Sequence, residues 1–270
     1  MPKKLYTWIG MQDCELFNAM RIASKTTLLP TGLILCIIKV VRCAGLRRTN
    51  MLLHLIRGEA SFQFFLMWIG AIIVALTFHE FCHGFAAYRL GDRTAKRDGR
   101  LSFNPLRHID PIGLLLIVSA GFGWAKPVMV NPYNLRNPKQ DMAIISISGP
   151  LSNFVLGFVA AFAAAAIYSF GRQGSMLHSY APSFLTLLFH INIGLGLFNM
   201  LPIPPLDGSK FFGFFLPDHL YFRFMNFRYG FILMVVLIAS GVTSVILLPL
   251  INAVDSAYGV IISAILSLFA

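Results

Sequence analysis

Charge is scarce in this chain. Lys, Arg, Asp and Glu make up 12% of its 270 residues, whereas a soluble domain carries about 25%. With 57% hydrophobic residues, that deficit excludes an ordinary soluble domain and leaves a membrane protein. Cysteine is sparse too. Cys14, Cys36, Cys43 and Cys82 show no C-x-x-C spacing, so no disulfide framework is implied. There is no internal repeat and no low-complexity tract. Among the charged residues acids are the scarcer, 11 against 22 Lys and Arg. The net charge of +11 does not point to nucleic acid, because the basic residues fall between apolar runs, as positive-inside loops do.

The apolar runs themselves carry the first signal. Phe62 to Phe78 is one such run, and it ends in His79-Glu80-Phe81-Cys82-His83, the pattern H-E-x-x-H. On a helix, residues i and i+4 share a face, so His79 and His83 lie one above the other and Glu80 borders them. Two imidazoles on one face suit zinc, and an adjacent carboxylate can take a proton from water activated by the metal. The plainer reading is a pair of histidines ending a span, with Glu80 paired to a nearby Arg. Three ionisable residues on one membrane stripe argue against it.

The charge map sets the expected topology. Residues 1–60 form a basic extension of uncertain status. Leu28 to Val41 is apolar but interrupted by Lys39 and short for a span, and Met51 is an alternative start. A first span is expected from the N-cap Ser61 to about Tyr88. The loop from Arg89 to Asp110 holds six Lys/Arg and should face the cytoplasm. Pro111 to Ala125 is too short to cross and lies between basic loops, so a re-entrant segment is expected, leaving through extended chain at 123–132. A helix should start at Asn137-Pro138, with Gln140 completing a capping box, and run to Phe170 with a kink at Pro150. Asn153, a turn later, needs a partner or a wet cavity. Ser183 to Leu201 should return inward, and the prolines after it should leave Asp207 on unwound chain. Phe231 to Leu250 should cross outward. The core is thus expected over 61–255, with a short apolar segment at 256–270. Its class is an all-α polytopic membrane protein of about four to six transmembrane helices, with a short re-entrant or extended segment between the first two core helices.

A catalytic zinc takes three protein ligands and keeps one position for water. Asp207, in an apolar, helix-broken stretch on the same side, is the candidate for the third. Its plainer reading is a turn at a membrane exit. Bland roles suit His190, Asn192, Asn199, His108 and Cys82: packing, or hydrogen bonds across helices. Asp255 is the remaining acid in an apolar segment.

H-E-F-C-H, N-P-L-R-H-I-D-P-I-G (104–113), G-W-A-K-P-V (123–128), S-G-P-L-S-N (148–153) and F-N-M-L-P-I-P-P-L-D-G (198–208) together resemble the site-2 protease family of intramembrane zinc metalloproteases. The small bacterial branch without a PDZ domain is the nearest likeness, over about residues 62 to 210. The resemblance implies one zinc ion held by His79, His83 and Asp207, with Glu80 as general base and then proton donor. It implies Asn153 as a hydrogen-bond donor to the oxyanion. It further implies a multi-pass protein of the inner (plasma) membrane, cutting transmembrane protein substrates from the cytoplasmic side. The alternatives are a membrane protein that binds or moves a metal ion or proton, and an inactive relative acting through interactions. Both fit less well, because neither needs a general base beside the ligands.

Overall fold

The computed structural model of the chain describes residues 61–120, 123–171, 176–225 and 229–268. The basic extension, Leu28–Val41 and Met51 lie outside the described residues. The expected class holds. The described residues are mostly helical and contain no strand. Four helices among them are long and apolar enough to cross a membrane, or five if one bent pair is a single span.

Helix α1 (Phe62–Arg89) starts where its cap residue dictates. Ser61 is extended, and its hydroxyl oxygen accepts from the Phe64 N–H at 3.1 Å, satisfying one of the amides a helix start leaves unpaired. Helix α2 (Pro111–Ala120) has 10 residues, about 15 Å, half the thickness of a bilayer's hydrocarbon core. It cannot cross. Asp110 caps it by accepting from the Gly113 N–H at 2.8 Å. The chain then returns against it. A Cβ on Gly113 would fall on the Trp124 carbonyl, and one on Gly123 on the Gly113 carbonyl. Two glycines therefore let the extended segment 123–131 lie on the helix that precedes it.

Helix α3 (Pro138–Phe170) runs unbroken through Pro150. Its cap differs from expectation. The Asn137 side chain makes no capping bond. Asp141 accepts from the Asn137 N–H at 3.0 Å instead, because a carboxylate in the first turn is favoured by the helix dipole and makes the stronger bond. Helix α4 (Met176–Asn199) begins earlier than expected and contains Pro182. A non-helical stretch with a cis Pro204-Pro205 bond follows. Asp207 is then the first residue of the short helix α5 (Asp207–Gly213), not part of the unwound chain. Helix α6 (Asp218–Met225) is a short surface helix. Expectation fails again downstream. Gly241, at φ +76°, separates α7 (Gly230–Ala239) from α8 (Val242–Leu266). The last span is therefore α8, and the boundary expected at 255–256 falls inside it.

Helices α1, α3 and α4 pack on one another, α5 packs on α3, and α8 leans on α4. Small residues line the contacts: Ala71 and Ala75 of α1, and Gly157, Ala160 and Ala164 of α3, are all buried. In lipid, helices associate by close packing rather than by hydrophobic exclusion, and small side chains permit it. Large apolar residues such as Val155, Val159, Val235 and Val245 point outward instead, as lipid contact allows.

Candidate metal centre

The centre is assembled from the buried faces of α1, α3 and α5. His79 and His83 sit one turn apart on α1, 4% and 8% exposed. Their rings meet edge to face. Gly149 of α3 makes room for both. A Cβ there would come within 2.6 Å of His83 Cε1 and 2.7 Å of His79 Cε1. The start of α5 brings Asp207 against the same point, its side chain 12% exposed. The three residues form a group whose donor atoms converge.

Hydrogen bonds decide which imidazole nitrogens face inward. His83 Nδ1 lies 2.7 Å from the Ile145 carbonyl, which can only accept, so that nitrogen carries the hydrogen. His79 Nδ1 lies 2.6 Å from Asn153 Oδ1 and likewise donates. Both Nε2 atoms therefore carry lone pairs. They stand 3.0 Å apart, and Asp207 Oδ2 lies 3.2 Å from one and 3.0 Å from the other. Two lone pairs and a carboxylate oxygen in mutual contact repel unless a cation lies between them. Tetrahedral ligands about 2.0 Å from one zinc would be about 3.3 Å apart, close to what is seen. The donor set, two imidazoles and one carboxylate, fits zinc, and both histidines have the outer hydrogen-bond partner typical of metal ligands.

Glu80 stands beside this group rather than in it. Its Oε2 accepts from the Val128 N–H at 2.9 Å, which ties the extended segment to the H-E-x-x-H motif. That segment is anchored at two further points. The Lys126 N–H donates to the His108 carbonyl at 2.7 Å, and the Asn131 N–H to Asp92 Oδ2 at 2.7 Å. Asp92, fully buried just past α1, also accepts from Asn134 Nδ2 and from the Thr94 N–H and hydroxyl. Burial pushes the Asp92 carboxyl up, but the hydrogen bonds from Thr94, Asn134 and Asn131 outweigh it and hold the group below its ordinary value.

Asn153, fully buried, is engaged on every side. Its oxygen faces His79, and its amide donates to Asn192 Oδ1 at 2.7 Å and to the Ala75 carbonyl at 3.3 Å. In this arrangement no amide hydrogen is left over for an oxyanion. His190 lies apart, bonded to the Thr186 carbonyl. Asn199 ends α4 and donates to the Leu195 carbonyl. His108 is fully buried, with Nε2 on the Ser102 carbonyl. Cys82 and Asp255 do not belong to the metal group. Sequence reasoning does not single out Gly149 or Ile145, and it reads Val128 only as part of an extended segment, not as a partner of Glu80. For Gly149 a signal exists: a glycine one turn before Asn153, in a span facing two imidazoles.

Apolar helices long enough to span a membrane, packed around a buried His-His-Asp group, fit a membrane zinc metalloendopeptidase, and comparison with known proteins supports that class. The model of Peptidase family M50 matches residues 166–239, the stretch that carries Asp207. "Putative zinc metalloprotease YwhC" of Bacillus subtilis is 38% identical over 186 residues, covering 67% of this chain and 84% of that protein. "Putative zinc metalloprotease Rip2" of Mycolicibacterium smegmatis and "Putative zinc metalloprotease MJ0611" of Methanocaldococcus jannaschii are 30% and 31% identical. The matches cover 53% and 56% of this chain, and 55% and 71% of theirs. No solved structure matches. The chain belongs to peptidase family M50, the site-2 protease family.

Proposed function

We propose that the protein hydrolyses peptide bonds in or beside transmembrane segments of other membrane proteins, with His79, His83 and Asp207 holding one zinc ion. The observation that carries this reading is the pair of Nε2 lone pairs turned onto Asp207 inside a helix bundle. Zinc bound there supplies a Lewis acid that polarises the scissile carbonyl and makes water acidic enough to lose a proton near neutral pH.

The chain's own residues do the rest. Glu80 Oε1 takes a proton from the attacking water while Oε2 stays on the Val128 N–H. Glu80 then returns the proton to the leaving amine. Asn153 acts on His79, holding its ring by Oδ1. An oxyanion role for Asn153 requires it to release Asn192 or Ala75 first. The extended segment 123–131 lies where substrate must come. A transmembrane helix hides its peptide bonds in its own ladder, so cleavage needs an unwound stretch. Segment 123–131 is positioned to pair with one as an added strand. The basic loops on either side of α2 support a site that opens toward the cytoplasmic side of the plasma membrane.

Purified protein in lipid nanodiscs should carry one zinc per chain. Asp207→Ala and His83→Ala should each lose the metal and cleavage together. Full zinc occupancy in both variants would sink the assignment.

A further inference from the structure

Asn192 sits on α4, away from the zinc ligands, and is fully buried. Its Nδ2 donates to the Leu188 carbonyl at 2.7 Å, and its Oδ1 accepts from Asn153 Nδ2 at 2.7 Å. The direction of each bond in this chain is forced. A backbone carbonyl can only accept, so the Asn192 amide nitrogen must face Leu188 and its oxygen must face Asn153. Asn153 must then present its nitrogen to Asn192, where its second hydrogen reaches the Ala75 carbonyl. Its oxygen is left facing His79 Nδ1 at 2.6 Å. His79 must therefore carry its hydrogen on Nδ1 and its lone pair on Nε2, the atom that meets His83 and Asp207. Flipping Asn192 would set its oxygen against the Leu188 carbonyl at 2.7 Å, and flipping Asn153 would set its oxygen against Asn192 Oδ1 at 2.7 Å.

We propose that Asn192 is a positioning residue for the metal centre: through Asn153 it transmits the polarity of the Leu188 carbonyl to His79 and fixes the imidazole tautomer that can bind metal. This deepens, and rests on, the reading of His79 as a zinc ligand. Without Asn192, Asn153 keeps only the weaker 3.3 Å bond to Ala75 to hold its orientation. It can then turn its nitrogen toward His79, which favours the tautomer with hydrogen on Nε2.

The test is a zinc titration of the full-length protein in nanodiscs against a competing chelator, for wild type, Asn192→Leu, Asn153→Leu and the double variant. Loss of an outer partner of a metal ligand weakens binding about 10–100-fold. Asn192→Leu, one bond further out, should sit near the lower end, about tenfold. The double variant should bind no more weakly than Asn153→Leu alone, because Asn192 acts only through Asn153. Nitrogen NMR of ¹⁵N-histidine-labelled, zinc-free protein gives a second reading. His79 should be protonated at Nδ1 in wild type and a tautomer mixture in Asn192→Leu. Asn192→Ala replaces the leucine variant in every measurement if that variant does not fold. Wild-type zinc affinity and tautomer in a folded Asn192 variant would overturn the proposal, as would losses that simply multiply in the double variant. Failure of the underlying metal reading looks different: His79→Ala would then bind zinc as well as wild type.

Discussion

At the scale of single residues, the centre depends on what is small or already bonded around the ligands. Gly149 is the sharpest case, since a methyl group there would press on both imidazoles. Gly149→Ala should move the rings at a cost of about 1–3 kcal/mol and weaken zinc binding at least tenfold, measured by chelator competition. Unchanged affinity would show that the rings have slack. Asp92 makes a different prediction. Its carboxylate is held below its ordinary value, so the sign of the pH effect is fixed. The stability it contributes is fully present above the unfolded carboxyl value of about 3.9 and is lost as pH falls through the lower folded value. Asp92→Asn should cost about 1–3 kcal/mol near neutral pH, from a charged acceptor lost among four hydrogen bonds. Thermal melts from pH 7 downward should converge with wild type in acid.

At the scale of elements, the extended segment 123–131 joins the fold to the chemistry. Val128 reaches Glu80 through its backbone N–H, so its side chain is incidental and its amide is not. Val128→Pro removes that donor. Cleavage of a transmembrane substrate should fall about 10–100-fold, the worth of a hydrogen bond to a charged group, while zinc occupancy stays near wild type. Loss of zinc along with activity would place the segment's role elsewhere. Much at this scale is legible in the sequence. Ser61 and Pro138 mark helix starts to within a residue, and length alone shows that Pro111–Ala120 cannot cross. The misses have physical causes. Asp141 outcompetes the expected cap because it carries charge where the helix dipole favours it. The break at Gly241 hides in an apolar run, since a left-handed glycine changes direction without changing hydropathy. Asp207 is expected on unwound chain but opens a helix, because three prolines end the preceding helix without fixing the backbone of the residues beyond them. The convergence of His79, His83 and Asp207 is readable because zinc chemistry restricts residue type and spacing. The Asn153 contacts are not, because hydrogen-bond direction in a buried network depends on partners from three helices.

At the scale of the whole molecule, the distribution of charge orients the protein. Lys and Arg lie at the ends of the candidate spans or outside them, and under the positive-inside rule the clusters on either side of α2 predict that this face is cytoplasmic. A cysteine introduced at Ser102, in the basic loop after α1, should be labelled by an impermeant reagent only after the inner face is opened. Labelling from outside intact cells would reverse the topology. Within that frame α1, α3, α4 and α5 hold the His-His-Asp group in a buried setting, and Glu80 stands beside it on α1, bonded to the Val128 N–H of segment 123–131. In the proposed mechanism this carboxylate performs the proton transfers while three other residues hold the metal. The most direct test is cleavage of a transmembrane substrate by Glu80→Gln in nanodiscs, with zinc measured on the same sample. The variant should keep one zinc per chain and lose cleavage by about 10²–10⁴-fold, the range of general acid–base catalysis. A variant that keeps its zinc and still cleaves at the wild-type rate would contradict the mechanism.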